Sequence, residues 1–305
     1  MLRAPWFQRG VAGVIVAACL FFVGRALVRS WDEAGDAIAG ASAPLLVAAF
    51  AAATAGMLVI ALLWHRILVE MNRRPRLADT VRWYFVGELG KYVPGGIWPL
   101  VGRAELARRS GIDPTTAYAS TVVSLACLVA ACGIGGGIVT LATGEHLLIG
   151  LALAAGGLAI VVGLHPHWRR LLGARFDKLR RFDEAADIPP PRSTAITVAA
   201  YGLAWVAIAA SSVLIARALA DDVDTVSVVA ATLAAWAAGF AVVPVPGGIG
   251  VRESVFIALA DLPEGQAVTI AIAARAIMIG VDVAGGAIAA LTAPTLRTMV
   301  SEARR

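Results

Sequence analysis

A Val-Pro-Gly-Gly-Ile pentapeptide occurs twice in a chain dominated by long apolar runs, at Val93–Ile97 and at Val245–Ile249. A helix does not run smoothly through Pro-Gly-Gly, because proline lacks a backbone donor and glycine weakens the helix. Backbone that breaks at membrane depth must be buried in protein or line a cavity. Two such breaks, one in each half, are the pattern expected of a carrier with a central site.

The apolar runs predict an all-α polytopic membrane protein. Of 305 residues 59% are hydrophobic and 15% charged, and the mean hydropathy is +0.78. A bilayer crossing takes roughly 20 apolar residues. We predict spans at Val11–Val28, Pro44–Trp64, Thr115–Leu141, Leu147–Leu164, Ser193–Leu219, Val226–Val243 and Ala267–Leu291. The shorter apolar run Gly247–Ala260 is interpreted as a half-helix or a thin, broken crossing.

The basic residues are concentrated in loops that we place in the cytoplasm. Residues 65–114 contain nine Lys/Arg against five acids, and residues 165–192 contain seven against four. The other loops are acidic, and Arg3 and Arg9 place the N-terminus in the cytoplasm under the positive-inside rule. The formal charge of +5 therefore reflects topology in a cell inner membrane, and we expect no nucleic-acid partner.

The C-terminal tail bears on the number of crossings. It carries three arginines against one glutamate, which places it in the cytoplasm. Seven spans from a cytoplasmic N-terminus would leave the tail outside the cell, whereas an eighth crossing at Gly247–Ala260 would place it in the cytoplasm. We therefore predict about eight crossings in a single integral membrane domain over residues 1–305.

Two interrupted segments, 81–110 and 244–262, are expected within this domain. After the first break the chain reads Val101-Gly102-Arg103-Ala104-Glu105, and after the second it reads Val251-Arg252-Glu253. The recurrence favours an internal repeat with interrupted or re-entrant helices. Chance recurrence of a glycine-rich pentapeptide is the alternative.

The cytoplasmic loop 165–192 contains an amphipathic stretch, Trp168–Phe182, with apolar residues at helical spacing among Arg and Lys. Such a stretch can lie on the cytoplasmic leaflet and bind anionic lipid headgroups. The alternative is a solvated basic loop that only sets topology.

Charges inside a span are costly and usually functional. Arg275 and Asp282 both lie in the last predicted span, almost two helical turns apart and on one face. This distance is too long for a tight direct pair, so we expect Arg275 to meet a carboxylate of another segment, such as Glu253 or Glu88. A structural ion pair, or a protonated and packed Asp282, is the alternative to a role in binding or proton coupling.

The two breaks are flanked by further polar groups. Glu88 and Lys91 lie three residues apart on a short amphipathic helix predicted over Arg82–Tyr92, where they can pair. Glycine permits unusual backbone angles that expose amides or carbonyls to a ligand, and a helix starting near Val251 with Arg252 beside it suits a phosphate. The alternative to a ligand-binding role for these glycines is tight helix packing. The glycines are Gly95, Gly96, Gly247, Gly248 and Gly250.

Several aromatic residues fall near the predicted inner interface, where anchoring in the headgroup region is the default interpretation. They are Trp64, Trp83, Tyr84, Tyr92, Trp98 and Trp168.

The residues around both breaks resemble a known family. Gly87-Glu88-Leu89-Gly90-Lys91-Tyr92-Val93-Pro94-Gly95-Gly96-Ile97-Trp98, followed by Gly102-Arg103, is similar to the first signature of the lysylphosphatidylglycerol synthase transmembrane-region family, also called flippase-like proteins. Pro244 to Glu253 resembles its second signature, and Arg275 stands where the family tends to carry arginine. The resemblance covers nearly the whole chain.

The resemblance implies a lipid-related membrane activity. The family includes the membrane half of enzymes that make and flip lysyl-phosphatidylglycerol, and stand-alone members thought to move lipids or lipid-linked sugars. Those enzymes carry a soluble aminoacyl-transfer domain after the membrane part, whereas this sequence ends at Arg305, so we do not expect aminoacylation.

The leading hypothesis is a flippase that moves an anionic phospholipid, or a phosphate- or sugar-linked lipid, across the inner membrane. An intramembrane lipid-modifying enzyme and a non-transporting partner of an envelope glycosyltransferase complex are the alternatives. We expect no catalytic residue, metal or cofactor; a homo-oligomer or an envelope-biosynthesis partner stays open. The candidate substrate-binding residues are Glu88, Lys91, Pro94, Gly95, Gly96, Arg103, Pro246, Gly247, Gly248, Gly250, Arg252, Glu253, Arg275 and Asp282.

Overall fold

The computed structural model describes residues 40–92, 97–175, 187–242 and 248–292. Within these ranges the chain forms ten α-helices and no strand. The helices are α1 (Ala43–Glu70), α2 (Leu77–Glu88), α3 (Trp98–Arg109), α4 (Pro114–Thr143), α5 (Leu147–Leu164), α6 (Pro166–Arg175), α7 (Pro191–Leu219), α8 (Thr225–Ala241), α9 (Val251–Leu259) and α10 (Glu264–Leu291). A 3-10 turn, Leu89–Tyr92, extends α2.

Five of these helices, α1, α4, α5, α7 and α10, are long and apolar enough to cross a membrane. They confirm a multi-pass membrane protein. The predicted first span, Val11–Val28, lies outside the described residues, and so does the C-terminal tail. Helix α8 has 17 residues and α9 only nine, about 13 Å of helix, so α9 is too short to cross alone. Eight crossings stay a prediction.

The helix ends follow local chemistry. Asp113 and Asp224 cap α4 and α8, because their carboxylates accept hydrogen bonds from backbone amides of the first turn. Helix α1 extends past the span end that was predicted at Trp64. The residues after Trp64 include polar ones, and the i,i+4 ion pair between Arg66 and Glu70, at 2.8 Å, stabilises this last part of the helix. Hydropathy ends the span at Trp64, whereas the hydrogen-bonded helix continues for another turn and a half.

The order long helix, short helix, break, short helix, long helix occurs twice, as α1–α4 and as α7–α10. Equivalent helices of the two halves also make equivalent contacts. Helix α1 packs on its counterpart α7, and the contact of α4 with α8 corresponds to that of α10 with α2. Within each half the two short helices pack on one another, α2 on α3 and α8 on α9. The described helices therefore have the pseudo-symmetric arrangement that an internal repeat would produce.

Each pair of short helices meets at a glycine that faces an arginine. A Cβ atom at Gly87 of α2 would lie 3.0 Å from the Cβ of Arg103 on α3. A Cβ at Gly239 of α8 would lie 2.5 Å from Nε of Arg252 on α9. Only a residue without a side chain permits these approaches. The same glycine–arginine contact thus closes both helix pairs.

The core between α1, α4 and α7 buries aromatic residues whose polar atoms are bonded inside the bundle. Trp64 Nε1 donates to Ser120 Oγ at 3.1 Å, and Trp205 Nε1 donates to Leu128 O at 2.9 Å. Trp64 is fully buried and Tyr84 is 2% exposed. The assignment of Trp64 and Tyr84 to an interfacial belt is therefore wrong, because the helices that carry them turn these rings inward.

Helices α4 and α5 pack closely against each other at glycine residues. This is expected in a bilayer, because the hydrophobic effect does not drive helices together there and close backbone packing supplies the attraction. A Cβ at Gly137 would lie 2.6 Å from the backbone nitrogen of Ala154, and one at Gly157 would lie 2.7 Å from Ala130 O. By contrast, a Cβ at Gly135 would meet nothing within 4 Å.

We predict that Gly137→Ala destabilises the protein by about 1–3 kcal/mol, because the added methyl group forces α4 away from α5. The matched substitution Gly135→Ala should be neutral or slightly stabilising, since alanine favours the helix. Thermal unfolding of both variants in detergent measures the difference. Equal unfolding midpoints would show that α4 and α5 do not pack as described.

Candidate functional site

Two adjoining cavities lie between the halves. Cavity A has an empty volume of about 700 Å³, mouth included, and lies between the 3-10 turn and α7, α8, α9 and α10. Cavity B, of about 1110 Å³, lies between α1, α2, α3, α4, α7 and α8. Lys91, Trp236 and Arg252 line both cavities and so stand between them.

Lys91 lies between two carboxylates. Its Nζ is 2.6 Å from Asp282 Oδ2 and 3.4 Å from Glu88 Oε2. Tyr92 OH donates to the same Asp282 oxygen at 2.5 Å. Asp282 is fully buried, and its Oδ1 has no hydrogen-bond partner among the described residues. The predicted Glu88–Lys91 pair is confirmed, while the contact between Lys91 and Asp282 joins residues 191 positions apart.

Arg275 meets Glu253, one of the two carboxylates that we named as its possible partners. Its Nη1 lies 3.6 Å from Glu253 Oε1. The other carboxylate oxygen of Glu253 accepts a hydrogen bond from the Gly250 amide at 2.6 Å, so the side chain caps its own helix, α9. Gly250 has φ of +82°, a conformation that favours glycine. The interaction fixes the start of α9 close to the predicted position.

Arg252 contacts aromatic rings rather than carboxylates. Its guanidinium carbon lies 3.5 Å from the ring centroid of Trp236 and 5.7 Å from that of Phe240, both on α8. Its Nε is buried and has no hydrogen-bond partner in the described part of the chain. Gly239 and Gly248 lie directly against this side chain. A cation–π stack stabilises the charge while leaving guanidinium N–H groups for another acceptor.

Arg103, the counterpart in the first half, is more enclosed. It is 4% exposed, and its Nη2 donates to the carbonyl oxygen of Thr121 at 3.0 Å. Its guanidinium lies 5.1 Å from the Trp64 ring and 5.9 Å from the Tyr84 ring. Arg103 lines cavity B, but its contacts are those of a residue that packs α3 on α1, α2 and α4.

Both cavities have an excess of positive charge among the described residues that line them. Cavity A is lined by Lys91, Arg252 and Arg275 against one carboxylate, Glu253. Cavity B is lined by Lys91, Arg103 and Arg252 against Glu88. Cations in a low-dielectric, largely apolar setting attract anionic groups strongly.

Several predicted site residues lie outside the described residues, namely Pro94, Gly95, Gly96, Pro246 and Gly247. Their neighbours do lie at the cavities, because Ile97 and Gly248 both line cavity B. Gly248 has φ of +66°. The described chain on either side of each break thus leads to the cavities.

The sequence did not single out the aromatic and hydroxyl residues of the site. Trp236 and Phe240 lie one helical turn apart, just before the second break, and this spacing is the signal that would have found them. Tyr92 was assigned to the interface but bonds to Asp282. Three hydroxyl residues also line cavity A; they are Ser211, Ser212 and Thr232.

Within the described ranges no group of three or more His, Cys, Asp or Glu residues is arranged to hold a metal ion. The carboxylates at the cavities already contact cations of the protein, since Lys91 contacts Asp282 and Glu88. The arrangement is therefore one that can bind an anionic group.

The sequence matches the model of a protein family described as "Lysylphosphatidylglycerol synthase TM region" over residues 10–286. This range includes both breaks and every charged residue of the two cavities. No curated protein matches the chain.

Removing Lys91 should destabilise the protein more than removing Asp282. Lys91→Met leaves two partly or fully buried carboxylates without their cation, and the expected cost is about 3–5 kcal/mol. Asp282→Asn leaves Lys91 paired with Glu88, so we expect a smaller loss. Thermal unfolding in detergent measures both, and the double variant should recover part of the Lys91→Met loss. An equal loss for the two single variants would contradict the bridging role of Lys91.

Proposed function

Because the chain belongs to the lysylphosphatidylglycerol synthase transmembrane-region family, we propose that it is a lipid flippase. Its substrate is an anionic phospholipid or a lipid that carries phosphate or a sugar phosphate. The headgroup enters the cavities and the acyl or prenyl tails stay in the bilayer. The proposal assigns the protein to a bacterial inner membrane, with a cytoplasmic N-terminus and about eight crossings.

The observation that carries the proposal is the pair of adjoining, positively charged cavities inside a bundle of apolar helices. Cavities A and B share Lys91 and Arg252, so a headgroup that leaves one cavity meets the same cations in the other. A path of this kind lets an anion cross a low-dielectric region without ever losing its counter-charge, which is the main energetic barrier to lipid movement.

The repeated helix pairs favour transport by rearrangement. In each half two short helices pack on one another across a Pro-Gly-Gly segment, and α9 is too short to span a bilayer. We propose that these pairs are re-entrant and that the breaks serve as hinges. Carriers built from repeats commonly place broken helices around a central site and move one repeat against the other.

The contacts made by the carboxylates also favour lipid transport over chemical modification of the lipid. A general base in a lipid-modifying enzyme needs a lone pair that faces the substrate. Glu253 accepts from the Gly250 amide and contacts Arg275, while Glu88 contacts Lys91. These interactions position cations and helix ends. Asp282, whose Oδ1 is unbonded among the described residues, is fully buried and lines neither cavity. We therefore propose that the protein changes the location of the lipid and not its structure.

Arg252→Gln should slow lipid movement at least about 10-fold, because it removes the cation common to both cavities. The assay uses the purified full-length protein in liposomes of phosphatidylethanolamine and phosphatidylglycerol with tail-labelled phosphatidylglycerol. A membrane-impermeant reductant then reports the outer-leaflet fraction over time. Arg217→Gln is the matched control, because Arg217 lies at the end of α7, where it donates to Thr225.

Three results would count against this proposal. Liposomes with the native protein that move no lipid faster than empty liposomes exclude flipping of this substrate. A chemically altered lipid, detected by mass spectrometry, favours an intramembrane enzyme. A folded Arg252→Gln protein with native transport would remove the shared cation from the mechanism.

A further inference from the structure

One side of cavity A carries hydroxyl groups. Ser211 and Ser212 come from α7 and Thr232 from α8, and we call these three residues the hydroxyl cluster. All three are nearly buried, with exposures of 4%, 7% and 3%. Serine and threonine inside a helix usually bond to the carbonyl one turn back. Ser212 does so only weakly, at 3.5 Å from the carbonyl oxygen of Ile208.

Thr232 is the informative member of the hydroxyl cluster. Its Oγ1 is buried and has no hydrogen-bond partner in the described chain. A buried polar atom without a partner costs about 1–3 kcal/mol, so such atoms are rare and need an explanation. Because Thr232 lines cavity A, a ligand in that cavity can supply the missing partner.

Arg252 supplies a cation to the same cavity. Its guanidinium stacks on Trp236, four residues after Thr232 on the same helix, while its Nε lies against Gly239 and Gly248. The hydroxyl of Thr232 and the terminal N–H groups of the Arg252 guanidinium can both donate. An anionic group with several acceptor oxygens can therefore bind to both.

We propose that the hydroxyl cluster and Arg252 form a phosphate subsite of cavity A, in which Thr232 Oγ1 and the Arg252 guanidinium donate to one phosphate group. This inference rests on the proposed function and specifies which part of the lipid cavity A binds. The donors come from three helices, α7, α8 and α9, and a phosphate group offers more acceptor oxygens to them than a carboxylate does.

The remaining charges around cavity A support an anionic ligand. Glu253 is the carboxylate among the described lining residues, and the Gly250 amide and Arg275 already contact it. Lys91 also reaches the cavity from the 3-10 turn, with Asp282 and Glu88 behind it. A bound phosphate would therefore meet cations and hydroxyl donors, with the nearest carboxylate already neutralised by its partners.

The test compares Thr232→Val with Thr197→Val in the full-length protein in detergent. Valine keeps the shape of threonine and removes the hydroxyl. Thr197 is a matched control, because it is also buried with an unpartnered Oγ1 but lines neither cavity A nor cavity B. The probe is dihexanoyl phosphatidylglycerol, titrated calorimetrically, with dihexanoylglycerol as the phosphate-free analogue.

We expect Thr232→Val to weaken binding of dihexanoyl phosphatidylglycerol by about 10-fold, as for the loss of a hydrogen bond to a charged group. Thr197→Val should bind like the native protein, and dihexanoylglycerol binding should not respond to either change. Native affinity in a folded Thr232→Val protein overturns the proposal, and so does an equal loss in Thr197→Val.

Competition with inorganic phosphate shows whether the subsite binds a lipid headgroup or a free phosphate ion. The lipid subsite predicts that inorganic phosphate at the same concentration competes only weakly, because it lacks the tails. Equally strong competition overturns the lipid assignment. The liposome assay distinguishes the two proposals: Thr232-dependent binding without lipid movement refutes the flippase alone, whereas movement with native binding by Thr232→Val refutes the subsite alone.

Discussion

Charge compensation inside an apolar bundle is the constraint on which the rest of this structure depends. An isolated charge in a low-dielectric interior is so costly that it must meet a partner. Here the partners come from different helices: Lys91 at the end of α2 contacts Asp282 of α10, and Arg275 of α10 contacts Glu253 of α9. The first contact ties one half of the chain to the other, and the second ties α9 to α10 within the second half. Lys91, Glu253 and Arg275 all line cavity A.

The two halves share one architecture but differ in the surroundings of the equivalent arginines. In both, an arginine on the second short helix lies against a glycine of the first and stacks on aromatic rings. Arg103 donates from Nη2 to the Thr121 carbonyl and is almost fully enclosed, whereas Arg252 stands between two cavities. The repeat supplies a common frame, and the second half departs from it at the boundary between cavities A and B.

Local sequence rules predicted a large part of this arrangement. Hydropathy located the long helices, i,i+3 spacing predicted the Glu88–Lys91 pair, and intramembrane cost predicted a carboxylate partner for Arg275. The rules failed for Trp64 and Tyr84, since amphipathic rings near a span end suit an interface and a core equally well. They also missed Thr232, because an ordinary threonine in an apolar run carries no sign of the cavity beside it.

The sequence by itself determined that the chain crosses membranes, where its helices break, and which charged residues needed partners, because these follow from composition and short-range spacing along the chain. Tertiary structure alone decided that Lys91 meets Asp282 across 191 positions and that Arg252 stacks on Trp236 between two cavities. The physical reason is that these contacts depend on how α2, α8, α9 and α10 pack together. Many helix packings satisfy the same hydropathy pattern, so the pattern alone does not say which side chains come within bonding distance.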